Sequence, residues 1–150
     1  MEEEAVRRLL TRMLEEAGVP WVEETGLIRF WAEKGGMRWE MNCRCRKGET
    51  VVYSRYPFFV TAGREAWTLC GRINARTARG AMLLPEDGRP VFRAWADLRD
   101  VYGGEARLRE TLTYAARLTA RFWGDWEALS HSVSHELSNR RSAGEEAREI

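Results

Sequence analysis

Residues 73–98 read INARTARGAMLLPEDGRPVFRAWADL, and the fold is decided by how this stretch is read. A helix end runs through Gly80 into the apolar run Ala81 to Leu84. A turn built on Glu86-Asp87-Gly88-Arg89 follows, and then a run in which Val91, Arg93 and Trp95 alternate with Phe92, Ala94 and Ala96. Asp-Gly supplies the positive φ of a tight hairpin, and a period of two residues is that of a strand with one buried side. The stretch predicts helix, strand, turn, strand.

Working outward toward the N-terminus, Met37 to Arg46 alternates without a break. Met37, Trp39, Met41, Cys43 and Cys45 share one side, and Arg38, Glu40, Asn42, Arg44 and Arg46 the other. That pattern predicts a half-buried antiparallel strand. Leu27 to Glu33 is a strand before the Gly35-Gly36 turn, and Thr50 to Tyr56 a strand after Lys47-Gly48-Glu49, ended by Pro57, so three strands form a meander. Ahead of it, Val6, Leu9, Leu10, Met13, Leu14 and Ala17 fall at helical spacing with Gly18 just past the end, and Pro20 prevents continuation. Trp21 and Val22 are expected to pack beneath that connection.

Thr61-Ala62-Gly63 leads into a second helix with Trp67, Cys70 and Ile73 near one stripe. After Gly103-Gly104 comes the longest helix, in which Leu108, Leu112, Ala115, Thr119, Phe122, Trp126, Leu129 and Val133 step by three or four residues, with Gly124 softening or ending it. The order is α-β-β-β-α-β-β-α: an α+β fold, its antiparallel sheet covered by the first and last helices. Residues 1–137 form one domain, and 138–150 are a polar tail with little to bury and expected disorder.

The chain has 150 residues, enough for one core without metal or disulfide, and its net charge of +1 gives no global attraction to nucleic acid or membrane. Electrostatic recognition must be local. Glu2-Glu3-Glu4 is the opposite of a cationic signal-peptide start, and no apolar run approaches the roughly 18 residues that span a bilayer, so a cytoplasmic protein is expected. Cys43, Cys45 and Cys70 are an odd count and read as free thiols.

The element order, with Ile73-Asn74 near a helix end, Gly80, an apolar strand, Asp87-Gly88 and Val91-Phe92-Arg93, resembles the YbjN family of bacterial sensory-transduction regulators over roughly residues 22–130. Members are similar in fold to the type III secretion chaperones that handle effectors, which are small homodimeric α+β proteins without catalytic activity. The resemblance implies a non-catalytic domain that binds another protein in a chaperone-like or regulatory role, forms a homodimer and carries no cofactor. It also gives Trp67, Cys70 and Ile73 two readings, packing on the sheet or forming a two-fold interface as the equivalent helix does in those chaperones. The exposed remainder of Leu27, Trp31 and Trp95 is then the candidate partner surface. Richness in arginine and tryptophan, and the polar tail, depart from the family pattern.

Two other chemistries compete with that reading. Cys43 and Cys45 on one side of a strand, with His131 and His135 one helical turn apart, would complete a tetrahedral zinc set. Against it, the cysteines share a side with Met37, Trp39 and Met41, and one residue between cysteines is shorter than zinc spacing. The basic surface Arg38, Arg44 and Arg46, close to Trp31, Trp39 and Tyr53, raises single-stranded nucleic acid as a second alternative. Most of those rings are expected in the core, which makes nucleic acid the less favoured partner. Catalysis has no nominated residues: both histidines lie near the C-terminus, and Asp97 with Asp100, or Glu15 with Glu16, point to differing faces or to solvent.

Overall fold

The alternating segments are strands of one sheet, and the periodic segments are helices laid against it. The computed structural model describes residues 1–100 and 102–130. In chain order the elements are α1 (Glu3–Glu16), β1 (Trp21–Glu24), β2 (Leu27–Lys34), β3 (Met37–Arg46), β4 (Glu49–Arg55), α2 (Arg64–Ala75), β5 (Ala81–Leu83), β6 (Val91–Asp97) and α3 (Gly104–Arg121). The six strands run β1-β2-β3-β4-β6-β5, and every neighbouring pair is antiparallel. This is the expected α+β class with one strand more than the sequence indicated. Trp21 and Val22, expected beneath a connection, lie in that extra strand, paired with Phe30 and Arg29.

Parity along the strands sorts the side chains. Phe30, Trp39, Met41, Cys43, Val52, Phe92 and Ala94 are buried on the side covered by the helices. α1 contributes Val6, Leu9, Leu10, Met13 and Leu14, and α3 contributes Leu108, Ala115 and Leu118. Each fully buried Leu, Met or Phe contributes about 1.5–3 kcal/mol relative to exposure, so this layer dominates stability. α3 breaks at Phe122, two residues before Gly124, and helical conformation resumes over 123–130, where Trp126 is fully buried.

A buried hydrogen-bond chain joins the layers. Trp39 Nε1 donates to Ser54 Oγ at 2.9 Å, Ser54 Oγ lies 2.6 Å from Thr119 Oγ1, and Thr119 Oγ1 donates to the Ala115 carbonyl. Tyr56 adds a hydroxyl bond to the Thr119 carbonyl. Within this chain the indole and hydroxyl groups taken out of water have partners, which offsets their desolvation.

α2 closes the β5 edge. Its Asn74 side chain behaves as a short strand: Oδ1 accepts the Met82 N–H at 2.7 Å and Nδ2 donates to the Met82 carbonyl at 3.0 Å. Cys70 Sγ donates to the same carbonyl. Cys70 and Ile73 are core residues, 6% and 1% exposed, because the apolar stripe of α2 turns inward; of the three residues read as a possible two-fold interface, only Trp67 is exposed, at 54%. Gly80, with φ +76°, passes directly over β6, and a Cβ there would fall on the Arg93 carbonyl and the Phe92 ring. Only glycine fits both demands.

Candidate functional site

The side of the sheet away from the helices is open, and pairing register places its residues in rows. One row runs Asn42, Tyr53, Arg93 and Ala81. The next runs Arg44, Val51 and Trp95, and beyond it Arg46, Glu49 and Asp97. In the other direction lie Trp31, Glu40, Arg55, Val91 and Leu83. Trp31 and Trp95 are 46% and 56% exposed, and Leu27 is half-buried. All three residues named from the sequence as a partner surface are on this side, but they do not form one patch: three strand spacings and two rows separate the two tryptophans, roughly 20 Å.

Charge divides the face into two ends. At the Trp31 end each arginine has a carboxylate. Arg29 pairs with Glu24 at 3.0 Å and Glu40 at 3.3 Å, Arg89 reaches Glu40 at 3.5 Å, Arg55 pairs with Asp87 at 3.2 Å, and Arg38 pairs with Glu33. Glu40, its side chain 13% exposed, also accepts from Asn42 at 2.7 Å. Arg38 additionally lies 4.8 Å over the Trp31 ring. This end is internally neutral.

Around Val51 the balance differs. Among the described residues Arg44, Arg46 and Arg93 have no carboxylate within ion-pair distance, and Arg44 Nε is buried without a hydrogen-bond acceptor. Two acids are near, Glu49 and Asp97. Glu49 makes no ion pair, and Asp97 is committed elsewhere: hydrogen bonds from Arg99 at 2.8–3.2 Å hold its carboxyl down to about 2. Arg46, Glu49, Val51, Tyr53, Arg93 and Trp95 line a shallow depression of about 300 Å³. Of the basic surface read from the sequence, Arg44 and Arg46 belong here, while Arg38 is at the paired end. Sequence reading named Tyr53 beside the basic surface but passed over Arg93 and Val51 as surface groups. Strand parity could have found them, since Arg93 shares a face with Trp95.

The cysteines are poor ligands as they stand. Cys43 is buried beneath the covered face, and burial first, then Cys45, pushes its thiol far up. Burial pushes Cys45 up to about 11. Both thiols are thus harder to ionise than a free cysteine, and it is the thiolate that binds a metal. His131 and His135, the other half of the zinc set, lie outside the described residues, as does the 138–150 tail. Among the described residues no three His, Cys, Asp or Glu side chains are grouped to hold a metal. No helix among them is long and apolar enough to cross a membrane.

Larger grooves lie along α1, about 720 Å³, and between α2 and residues 123–130, about 560 Å³. On the α1 groove Arg8 and Arg12 already pair with Glu4, Glu16 and Glu105, leaving little charge to recognise a ligand. Compared with protein-family models, curated proteins and solved structures, the chain finds no match.

Proposed function

We propose that this is a non-catalytic domain that binds another protein on the open face of its sheet, in a chaperone-like or regulatory role. The observation that carries the reading is that open face: two exposed tryptophans and half-buried aliphatic groups spread over strands whose opposite side packs against the helices. An apolar surface of this kind, interleaved with charge, suits a polypeptide that supplies both. The resemblance to YbjN proteins and secretion chaperones supports the same role, and with it a bacterial, cytoplasmic homodimer. Trp67 on α2 is an exposed anchor available to a second copy.

Single-stranded nucleic acid is the second reading, favoured by Arg44, Arg46 and Arg93, unpaired among the described residues, beside Tyr53 and Trp95. It ranks lower because the face as a whole sets Arg29, Arg38, Arg44, Arg46, Arg55 and Arg93 against Glu24, Glu33, Glu40, Glu49 and Asp97, which leaves no continuous cationic track for a phosphate backbone.

The test is to compare the wild type with the double variant Trp31→Ser, Trp95→Ser as bait in the native host, after thermal melts show that both are folded. Proteins retained by the wild type and lost by the variant support the reading; an identical set on both removes the open face as the site. Light scattering should give twice the mass of the chain at micromolar concentration, and Trp67→Glu should halve it. A monomeric wild type ends the homodimer proposal.

A further inference from the structure

We infer that the Val51 end of the open face takes an extended acidic segment of the partner, with carboxylates on Arg44, Arg46 and Arg93 and one apolar side chain against Val51 and Trp95. This rests on the protein-binding reading above and names the chemistry of the partner.

Charge complementarity commits the occupant. Arg46 and Arg93 line one depression together with Glu49, and Arg44 stands across from Val51 beside it; among the described residues none of the three has a carboxylate within ion-pair distance, and Arg44 Nε is buried without an acceptor. At the Trp31 end of the same face the protein supplies its own anions. Among the described residues Glu49 is the one uncommitted acid set against these three cations, and the remaining anions are left to a partner. Arginine forks match carboxylates bidentately, and their hydrogen bonds strengthen when an apolar neighbour excludes water.

Geometry sets the pattern of that segment. Arg44 and Arg46 are on β3, Val51 on β4, and Trp95 and Arg93 on β6, so cationic groups flank an apolar floor about two strand spacings, roughly 10 Å, across. An extended peptide presents every second side chain to one side, at roughly 7 Å intervals. The fitting order is acidic, apolar, acidic at alternate positions. A depression of about 300 Å³ accepts one large side chain and no folded domain.

Glu49 and Asp97 explain why the occupant is a peptide. Both border the row beyond Val51, so a continuous polyphosphate crossing there meets two carboxylates, whereas discrete acids can be placed to avoid them.

The experiment is an NMR titration of the full chain labelled with nitrogen-15, reading the Trp95 indole N–H assigned with Trp95→Phe. The probes are a peptide repeating Glu-Ser-Phe-Ser-Glu, its analogue with Gln for Glu, and an oligothymidylate of equal length. The acidic peptide should move the Trp95 signal to saturation, and affinity should fall at least about tenfold both in the Gln analogue and in the double variant Arg46→Gln, Arg93→Gln. Raising the salt from about 0.05 M to 0.3 M should weaken it further. The absence of a shift overturns the inference, as does equal binding of the Gln analogue, equal binding by the double variant, or tighter binding of the oligothymidylate, which would give the patch to nucleic acid. If the acidic peptide fails while Trp31→Ser, Trp95→Ser still loses its captured proteins, only the acidic chemistry falls. If both fail, the protein-binding reading falls with it.

Discussion

Residues that alternate along the same strands meet opposite fates. On the covered side of β3, β4 and β6, Trp39, Ser54 and Phe92 are essentially inaccessible and locked to one another and to α3. On the open side of the same strands Arg44, Val51 and Trp95 form a row with solvent above it. A strand's two faces are independent in side-chain contacts although they share a backbone. Stability therefore resides on one side of this sheet, and the other side faces solvent.

The sharpest way to break that contrast is a matched pair of tryptophan truncations. Trp39→Ala removes a fully buried ring and leaves the Ser54 hydroxyl without its donor, and a loss of about 3–5 kcal/mol is expected from urea midpoints. Trp95→Ala, on a ring 56% exposed, is expected to cost less than about 1 kcal/mol. Similar losses at the two positions would show that the open face is part of the core after all.

Next in size is the closure of the β5 edge. Asn74→Leu keeps the side chain's branching but strips both bonds from the Met82 backbone, for an expected loss of about 1–3 kcal/mol. Hydrogen exchange at the Met82 amide should accelerate more than at neighbouring core amides. Retained protection would mean that the Asn74 side chain is incidental to the edge. The opposite edge needs no such device, because β1 is only four residues long and carries Glu23 and Glu24.

The covered face also carries an alkaline pH signature. Burial raises the Cys43, Cys45 and Tyr56 acids, Cys45 from 9.0 to about 11 and the other two further. Groups raised in the folded state bind protons more tightly there than in the unfolded chain. Their contribution is complete below the unfolded values, 9.0 for the cysteines and 10.0 for Tyr56, and is lost as pH rises through the folded ones. Urea midpoints should therefore fall progressively above about pH 9, and Cys43→Ala should flatten the decline. A decline of equal steepness in that variant would assign it to other groups.

What could be read in the sequence was what alternation and turn chemistry encode. The Met37–Arg46 parity gives the observed faces, and the hairpin around Asp87-Gly88 pairs as expected, although its connection spans residues 84–90 and is not the tight turn read from Asp-Gly. β1 was missed because four residues, Trp-Val-Glu-Glu, are too few for a period and are held as a strand only by β2. The stripe on α2 was visible, but a stripe does not say which surface it meets, and Cys70 and Ile73 turned out to face inward. The Trp39–Ser54–Thr119 chain needs three elements in register and leaves no local signal. Nor could the sequence separate paired from unpaired arginines, because pairing depends on which carboxylate each side chain finds across strands and loops.

That separation makes the smallest expected effect the most informative. Glu40→Gln removes a charge that two arginines share, at a side chain only 13% exposed, and should cost about 1 kcal/mol at low salt. Arg93→Gln, at a residue with no ion pair among the described residues, should change stability by no more than about 0.5 kcal/mol, in the direction of a gain, because it relieves repulsion among three like charges. Salt should shrink both differences. If Arg93→Gln instead destabilises as much as Glu40→Gln, then the guanidinium is already neutralised within the fold. The two ends of the face would be equivalent, and there would be no unsatisfied charge at the Val51 end for a partner to meet.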